Sequence, residues 1–345
     1  MIFKARGRTI LLGRKDCMKK GKFVGYAKWG YIFCIPFFVT YLIFQLYPTL
    51  YTILIGFTDL KGVNTTTWHL LKNPFENYTF ILGNSLFRRA FMNTCKLWVF
   101  NFIPQISLAL LLTAWFTDRR FKVKGEGFFK VVFYMPNIIT AATIAILFSS
   151  LFGFPMGPVN DLLTRFGILK EPYNFLIKKN VSQYIIMFIQ TWMWYGYTMI
   201  ILVSGVLGIS TEIFEAAEVD GANGWQTFWL ITIPNIKTIL LFTLVTSLIG
   251  GLNMFDIPQL FVFGGGPDNA TMTTNIFIYN QAFKGSYQYN KASAASMIMF
   301  VIIVVLSAIL FWLLRDRDEA ALERIKKEEA KARKARAKEA ARING

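Results

Sequence analysis

Six segments of this chain are long, apolar and nearly free of charge, and nothing constrains its fold more than they do. They run over about 29–57, 91–116, 128–152, 183–207, 238–263 and 293–314. A helix rises 1.5 Å per residue, so about 20 apolar residues cross the roughly 30 Å hydrocarbon layer of a bilayer. Inside lipid the backbone polar groups must be satisfied within the segment, which leaves helices as the spanning form. The expected fold class is therefore an all-α polytopic membrane protein with six transmembrane helices. Composition agrees: 54% of the residues are hydrophobic, more than a soluble domain carries. The first segment starts only at about Trp29, is longer than a signal-peptide core and has no small-x-small cleavage site after it. It reads as a retained helix.

The net charge of +17 raises nucleic acid as a partner, but the distribution of that charge argues for a membrane and no nucleic acid. The basic residues gather at the two ends and flank the apolar segments, where orientation signals sit. With both termini in the cytoplasm, 25 lysines and arginines fall inside and ten outside. Both termini are thus expected in the cytoplasm, around an even number of spans. Three regions follow: a basic tail over 1–28, a transmembrane region over 29–314 and a charged, alanine-rich tail over 315–345. The last reads as a solvated helix near anionic headgroups. Lys96, near the outer end of the second span, is expected to snorkel to the interface.

Several chemistries are absent from the sequence. The three cysteines, Cys17, Cys34 and Cys95, form neither a CxxC pair nor a disulfide framework. His69 is the only histidine, so no histidine-based metal site is expected. No GxxxxGK[ST] phosphate loop occurs. The glycine run Gly264-Gly265-Gly266-Pro267 lacks the lysine and reads as a turn that frees the chain after the fifth span. An integral membrane enzyme would need a histidine cluster or paired carboxylates, and neither is present. A receptor would need a signalling domain, and the tail is too short and low in complexity for one.

The longest polar interruption in the second half is EAAEVDGANGWQTFWLITIP, from Glu215 to Pro234. A helix-forming start meets Gly221, an aromatic run follows, and Pro234 opens the next apolar segment. Its neighbours' charges place it in the cytoplasm. The spacing is Glu215-Ala216-Ala217, three residues, Gly221, nine residues, then Ile231-Thr232-Ile233-Pro234. This resembles the EAA signature of the permease subunits of bacterial ATP-binding-cassette (ABC) importers, with Ile233 where the pattern has leucine. Phe133–Asn137, Phe214–Phe228, Met254–Pro258, Gly264–Pro267 and Lys291–Ser296 look like the carbohydrate-uptake branch, similar to the larger membrane subunit of maltose-type importers.

The resemblance implies an ABC type I importer transmembrane domain with a cytoplasmic coupling helix between helices 4 and 5. That helix would dock in a cleft of an ATPase subunit through Glu215, Ala216, Ala217, Glu218, Asp220 and Gly221. Small Ala216 and Ala217 would permit close approach, Gly221 a sharp turn, and Glu215 and Asp220 charge-assisted hydrogen bonds. The implied partners are a second permease subunit, two ATPase subunits, an extracytoplasmic solute-binding protein and a carbohydrate, in a bacterial cytoplasmic membrane. ATP and Mg would be bound by the ATPase partner, with no cofactor in this chain. The alternative cargo is another small solute, such as a polyol phosphate.

A translocation path needs polar groups facing the bundle interior at mid-membrane. Gln190, Trp194 and Tyr197 share one helical face of the fourth span, and the resemblance puts them at sugar-pocket positions. The fifth span adds Ser247, Asn253 and Asp256. Asp256 is the one acidic residue within a span, and it reads equally as a functional carboxylate or as a helix-end residue.

Overall fold

The computed structural model describes residues 27–314 except 64, 66, 121, 122 and 286, together with Glu328. The two tails expected over 1–28 and 315–345 lie almost wholly outside the described residues. The described residues contain no strand beyond one isolated bridge between Thr58 and Leu70. The chain divides into a unit that ends at Thr52 and a unit that begins at Ile53.

The first long helix, α1 (Trp29–Ile55), belongs largely to the first unit. It holds Pro36 and Pro48 without breaking. A π-helical turn over Leu42–Leu46 precedes Pro48, and the Tyr47 amide bonds to the Leu42 carbonyl five residues back. Widening the turn makes room for the proline ring, which would otherwise press on the carbonyl of the preceding turn.

The second unit contains α2 (Glu76–Gly83), α3 (Ser85–Thr117), α4 (Glu126–Ile138), α5 (Ala141–Leu151) and α6 (Pro158–Arg165). It continues with α7 (Lys179–Leu207), α8 (Thr211–Val219), α9 (Lys237–Leu252), α10 (Asp256–Phe261), α11 (Thr274–Phe283) and α12 (Tyr289–Leu314). Among the described residues, five helical segments are long and apolar enough to cross a membrane: α1, α3, α7, the α9–α10 segment and α12. The sixth expected span is a bent pair, because α4 and α5 meet at 90°. The bend does not sit at Pro136, which lies within α4. It sits at Ile139 and Thr140, both extended, where the Thr140 hydroxyl accepts from the Thr143 amide and caps a new helix. The fifth span also breaks, at Asn253–Phe255, before the short α10.

The pairing of α3 with α7 is the most extensive in the unit, and α4 also packs on α7. Gly196 makes the α4 contact possible, since a Cβ there would overlap the backbone of Phe133. Three apolar clusters result. One joins Leu97, Ile144, Phe148, Ile186, Ile189 and Phe261. A second joins Ile81, Phe87, Leu248, Ile276, Phe277 and Ala294. The third, nearest α8, joins Ala109, Phe116, Met199, Leu202 and Ile236.

The glycine run after α10 does turn, with positive φ at Phe263, Gly264, Gly265 and Gly266. It does not free the chain. Asn93 donates to the carbonyls of Asn269 (2.9 Å) and Met272 (3.2 Å), and Thr94 accepts from the Thr274 amide at 2.9 Å. Arg89 (3.3 Å) and Lys179 pair with Asp268, and these two cations hold its carboxyl below the usual range. Lys96 does not simply snorkel either, since it donates to Gln183 Oε1 at 2.7 Å. Gln183 in turn donates to the Ala270 carbonyl. The loop is fastened to α3 and α7 because its backbone groups otherwise lack partners.

Candidate functional site

A cavity of about 370 Å³ opens between α3, α7, α9 and α10. All six residues expected on the path line it. Gln190, Trp194 and Tyr197 come from α7, Ser247 from α9, Asn253 from the break, and Asp256 from the first position of α10. Asp256 is the first residue of α10 and also part of the cavity lining. The cavity lies at mid-depth of the spans, since residues 190–198 straddle the middle of α7, Lys179–Leu207.

The α3 wall was not expected. Trp98, Asn101 and Gln105 line the cavity from this helix, and Thr198, Thr243 and Thr246 add hydroxyls. The spacing 98, 101, 105 is one helical face, which is the signal in the sequence that marks it. Polar pairs fix these walls. Gln105 Nε2 donates to Thr198 Oγ1 at 2.9 Å, and Thr191 donates to the Asn101 carbonyl at 3.0 Å. Both join α3 to α7 through buried side chains, where an unpaired amide or hydroxyl is costly. Trp98 Nε1 donates to Ser247 Oγ at 3.4 Å, joining α3 to α9. Gly251 permits that approach, since a Cβ there would overlap the Trp98 indole.

The Gln190 amide stands apart. The residue as a whole is buried, at 8% exposure, and no hydrogen bond among the described residues engages its side chain. It lines the cavity beside Trp194, whose ring meets that of Tyr197 edge-on at 5.8 Å. An unengaged amide that lines the cavity beside aromatic rings suits a ligand that offers hydroxyls and C–H faces together. The lining contains no lysine, arginine or histidine, and Asp256 is its one acidic side chain. Trp192 and Tyr195 face elsewhere. Trp192 packs on Phe148 at 5.6 Å, and Tyr195 packs on Phe133 at 6.1 Å.

At the far end of α3 and α7, the EAA stretch forms α8, Thr211–Val219. Gly221 has φ +76, the left-handed conformation that glycine adopts at low cost. The Gly221 amide bonds to the Glu218 carbonyl and the Ala222 amide to the Ala217 carbonyl, at 3.1 and 2.9 Å. This paired closure is the Schellman motif, and it explains the glycine at this position. Glu215, Ala216, Glu218, Val219 and Asp220 are exposed. Ala217 is not, because it is buried against the chain itself at 6% exposure. Of the two small residues expected to face a partner, only Ala216 lies on the open face. A capping box at Asn223 and Gln226 starts the next turn, and a π-helical segment, Thr227–Thr232, carries the chain to Pro234.

Comparison with known proteins places this geometry. Residues 79–318 match the family described as "Binding-protein-dependent transport system inner membrane component". The lactose transport system permease protein LacF of Rhizobium radiobacter is 31% identical over 84% of this chain and 94% of its own length. The multiple sugar-binding transport system permease protein MsmF of Streptococcus mutans is 29% identical, over 81% of this chain and 93% of its own. Among solved structures, a bacterial ABC transporter involved in the import of the acidic polysaccharide alginate has a chain that superposes with a TM-score of 0.71. It is 21% identical, covering 84% of this chain and 95% of that one.

Proposed function

The chain belongs to the binding-protein-dependent transport system inner membrane components, and from that premise we propose that it forms half of the path by which an ABC importer carries a neutral sugar or oligosaccharide. It is a multi-pass permease, a transport subunit that does no covalent chemistry of its own. The observation that carries the cargo is the mid-depth cavity, with amides, hydroxyls and indole faces on three helices. The names of the relatives, which include lactose and arabinooligosaccharide permeases, support the same class.

The second half of the path comes from another permease subunit. Two ATPase subunits bind ATP and Mg, and an extracytoplasmic binding protein delivers the sugar. Both termini lie in the cytoplasm of a bacterial cell, which puts α8 on the side of the ATPase. The exposed Glu215, Ala216, Glu218 and Asp220 form its docking face, with Gly221 closing the helix. Closure of the ATPase pair pulls on α8 and opens the cavity outward.

A polyol phosphate is the less favoured cargo. A phosphate carries about two negative charges near neutrality. This half of the cavity offers it no cationic side chain and sets the Asp256 carboxylate against it. The test uses the whole importer, with its binding protein, in proteoliposomes loaded with ATP. Radiolabelled lactose and maltotriose are compared with sn-glycerol 3-phosphate. ATP-dependent uptake of a neutral sugar and none of the phosphate is expected. Uptake of the phosphate alone would overturn the assignment.

A further inference from the structure

The link that follows α3 grips both ends of α8. Arg119 donates to the Thr211 carbonyl, at the first residue of α8, over 3.5 Å. Its guanidinium also lies 5.3 Å from the centre of the Phe214 ring. Arg120 donates to the Ala222 carbonyl, just past the Gly221 turn. Asp118, the residue that ends α3, accepts from the Arg120 amide at 2.9 Å and sets the link's conformation. A nine-residue helix does not hold its place by backbone bonds alone. Ala217 is the one buried residue of α8, and Phe214 packs partly buried on the adjoining cluster, so the arginine contacts share with Phe214 in fixing the position of α8.

The same link is continuous with α3. Gln105, Asn101 and Trp98 stand on α3 at 13, 17 and 20 residues before Asp118. At 1.5 Å per residue, about 20 Å of proline-free helix runs from the clamp to Gln105 at the cavity wall, and Pro104 comes only after that point. Resting on the reading of α8 as the coupling helix, we propose that Arg119 and Arg120 are positioning residues that fasten α8 to α3, so that a pull on α8 moves the α3 wall of the cavity. Arginine suits the task. Its planar fork meets a carbonyl and an aromatic face at once, and lysine keeps the charge without that geometry.

The test is the number of sugar molecules imported per ATP hydrolysed, measured on the reconstituted importer. The probe is whichever of lactose and maltotriose the intact complex carries. The double variant Arg119→Ala with Arg120→Ala is expected to lower this ratio about tenfold, within the range typical of coupling between sites. A merely structural contact would reduce the amount of complex and leave the ratio alone. Where the alanine pair does not assemble, Arg119→Lys with Arg120→Lys keeps both charges and is expected to lower the ratio by a smaller factor. A wild-type ratio in the assembled alanine variant, or in the lysine variant where that one is used, overturns the clamp. Glu215→Lys is the control for the premise. If it also keeps the wild-type ratio, the coupling reading of α8 fails. If it loses the ratio while the arginine variants keep it, only the clamp fails.

Discussion

Gly196→Val is expected to remove most of the folded protein from the membrane. Gly196 sits in the middle of α7, and a Cβ there would overlap the Phe133 carbonyl of α4. The obstacle is backbone, so no side chain can rotate out of the way. The two helices must separate, and the packing of Phe133 on Tyr195 and Phe116 is lost with them. Overpacking a close-fitted site costs about 1–3 kcal/mol, and a clash with backbone belongs at the upper end or beyond. A total stability of about 5–15 kcal/mol leaves little margin for that. Fluorescence-detected size-exclusion chromatography after graded heating measures it. A melting temperature well below wild type, with reduced yield, is expected. An unchanged melting temperature would show that α4 and α7 do not approach as described.

Gly251→Val is expected to leave the fold intact and to abolish most of the uptake. The obstacle here is the Trp98 indole, a side chain that can rotate. It would swing away from Ser247, its partner at 3.4 Å, and into the cavity. A 370 Å³ cavity lies at the lower end of the range for ligand sites, and a displaced indole takes up a large share of it. Uptake at least about tenfold below wild type is expected, which is a barrier change of roughly 1.4 kcal/mol. Assembly with the partner subunits should remain normal. Gly251→Ala should show a smaller loss, because one methyl displaces the ring less. Uptake by Gly251→Val at the wild-type rate would remove Trp98 from the path.

The sequence makes one wall of the cavity legible and leaves another obscure, for a physical reason. Gln190, Trp194 and Tyr197 stand out because polar and aromatic residues at i, i+4 and i+7 share a helical face in an otherwise apolar span. Ser247, Asn253 and Asp256 stand out as rare polar groups in another. The α3 face is also marked, by Trp98, Asn101 and Gln105 at i, i+3 and i+7. What it lacks locally is a partner. Gln105 is satisfied by Thr198, 93 residues away, and Thr191 binds the Asn101 carbonyl. Only the pairing of α3 with α7 reveals that.

The spans show the same division. All six were legible from length and hydropathy alone, but the bend within one of them was not. The 90° bend of the third span follows from the capping of α5 by Thr140 and not from the nearby Pro136. The glycine run after α10 misleads for a related reason. Its positive φ angles are local and legible, but its fastening to Asn93, Thr94 and Gln183 is long-range. In α8 the order is reversed. The turn at Gly221 is written in the sequence, while the burial of Ala217 and exposure of Ala216 depend on how the helix lies on the bundle.

The central claim is that α8 is the element through which an ATPase moves this permease. The most direct measurement is ATP-driven sugar uptake by the reconstituted importer carrying Glu215→Lys, with ATP hydrolysis recorded on the same vesicles. Glu215 is exposed on α8, and no side-chain hydrogen bond or ion pair engages it among the described residues, so the variant should insert and fold as the wild type does. Reversing a charge at a docked interface costs about 2–5 kcal/mol. Uptake per ATP should therefore fall by a factor of about 30 or more. Uptake per ATP equal to wild type, in a variant present at wild-type levels, would contradict the account.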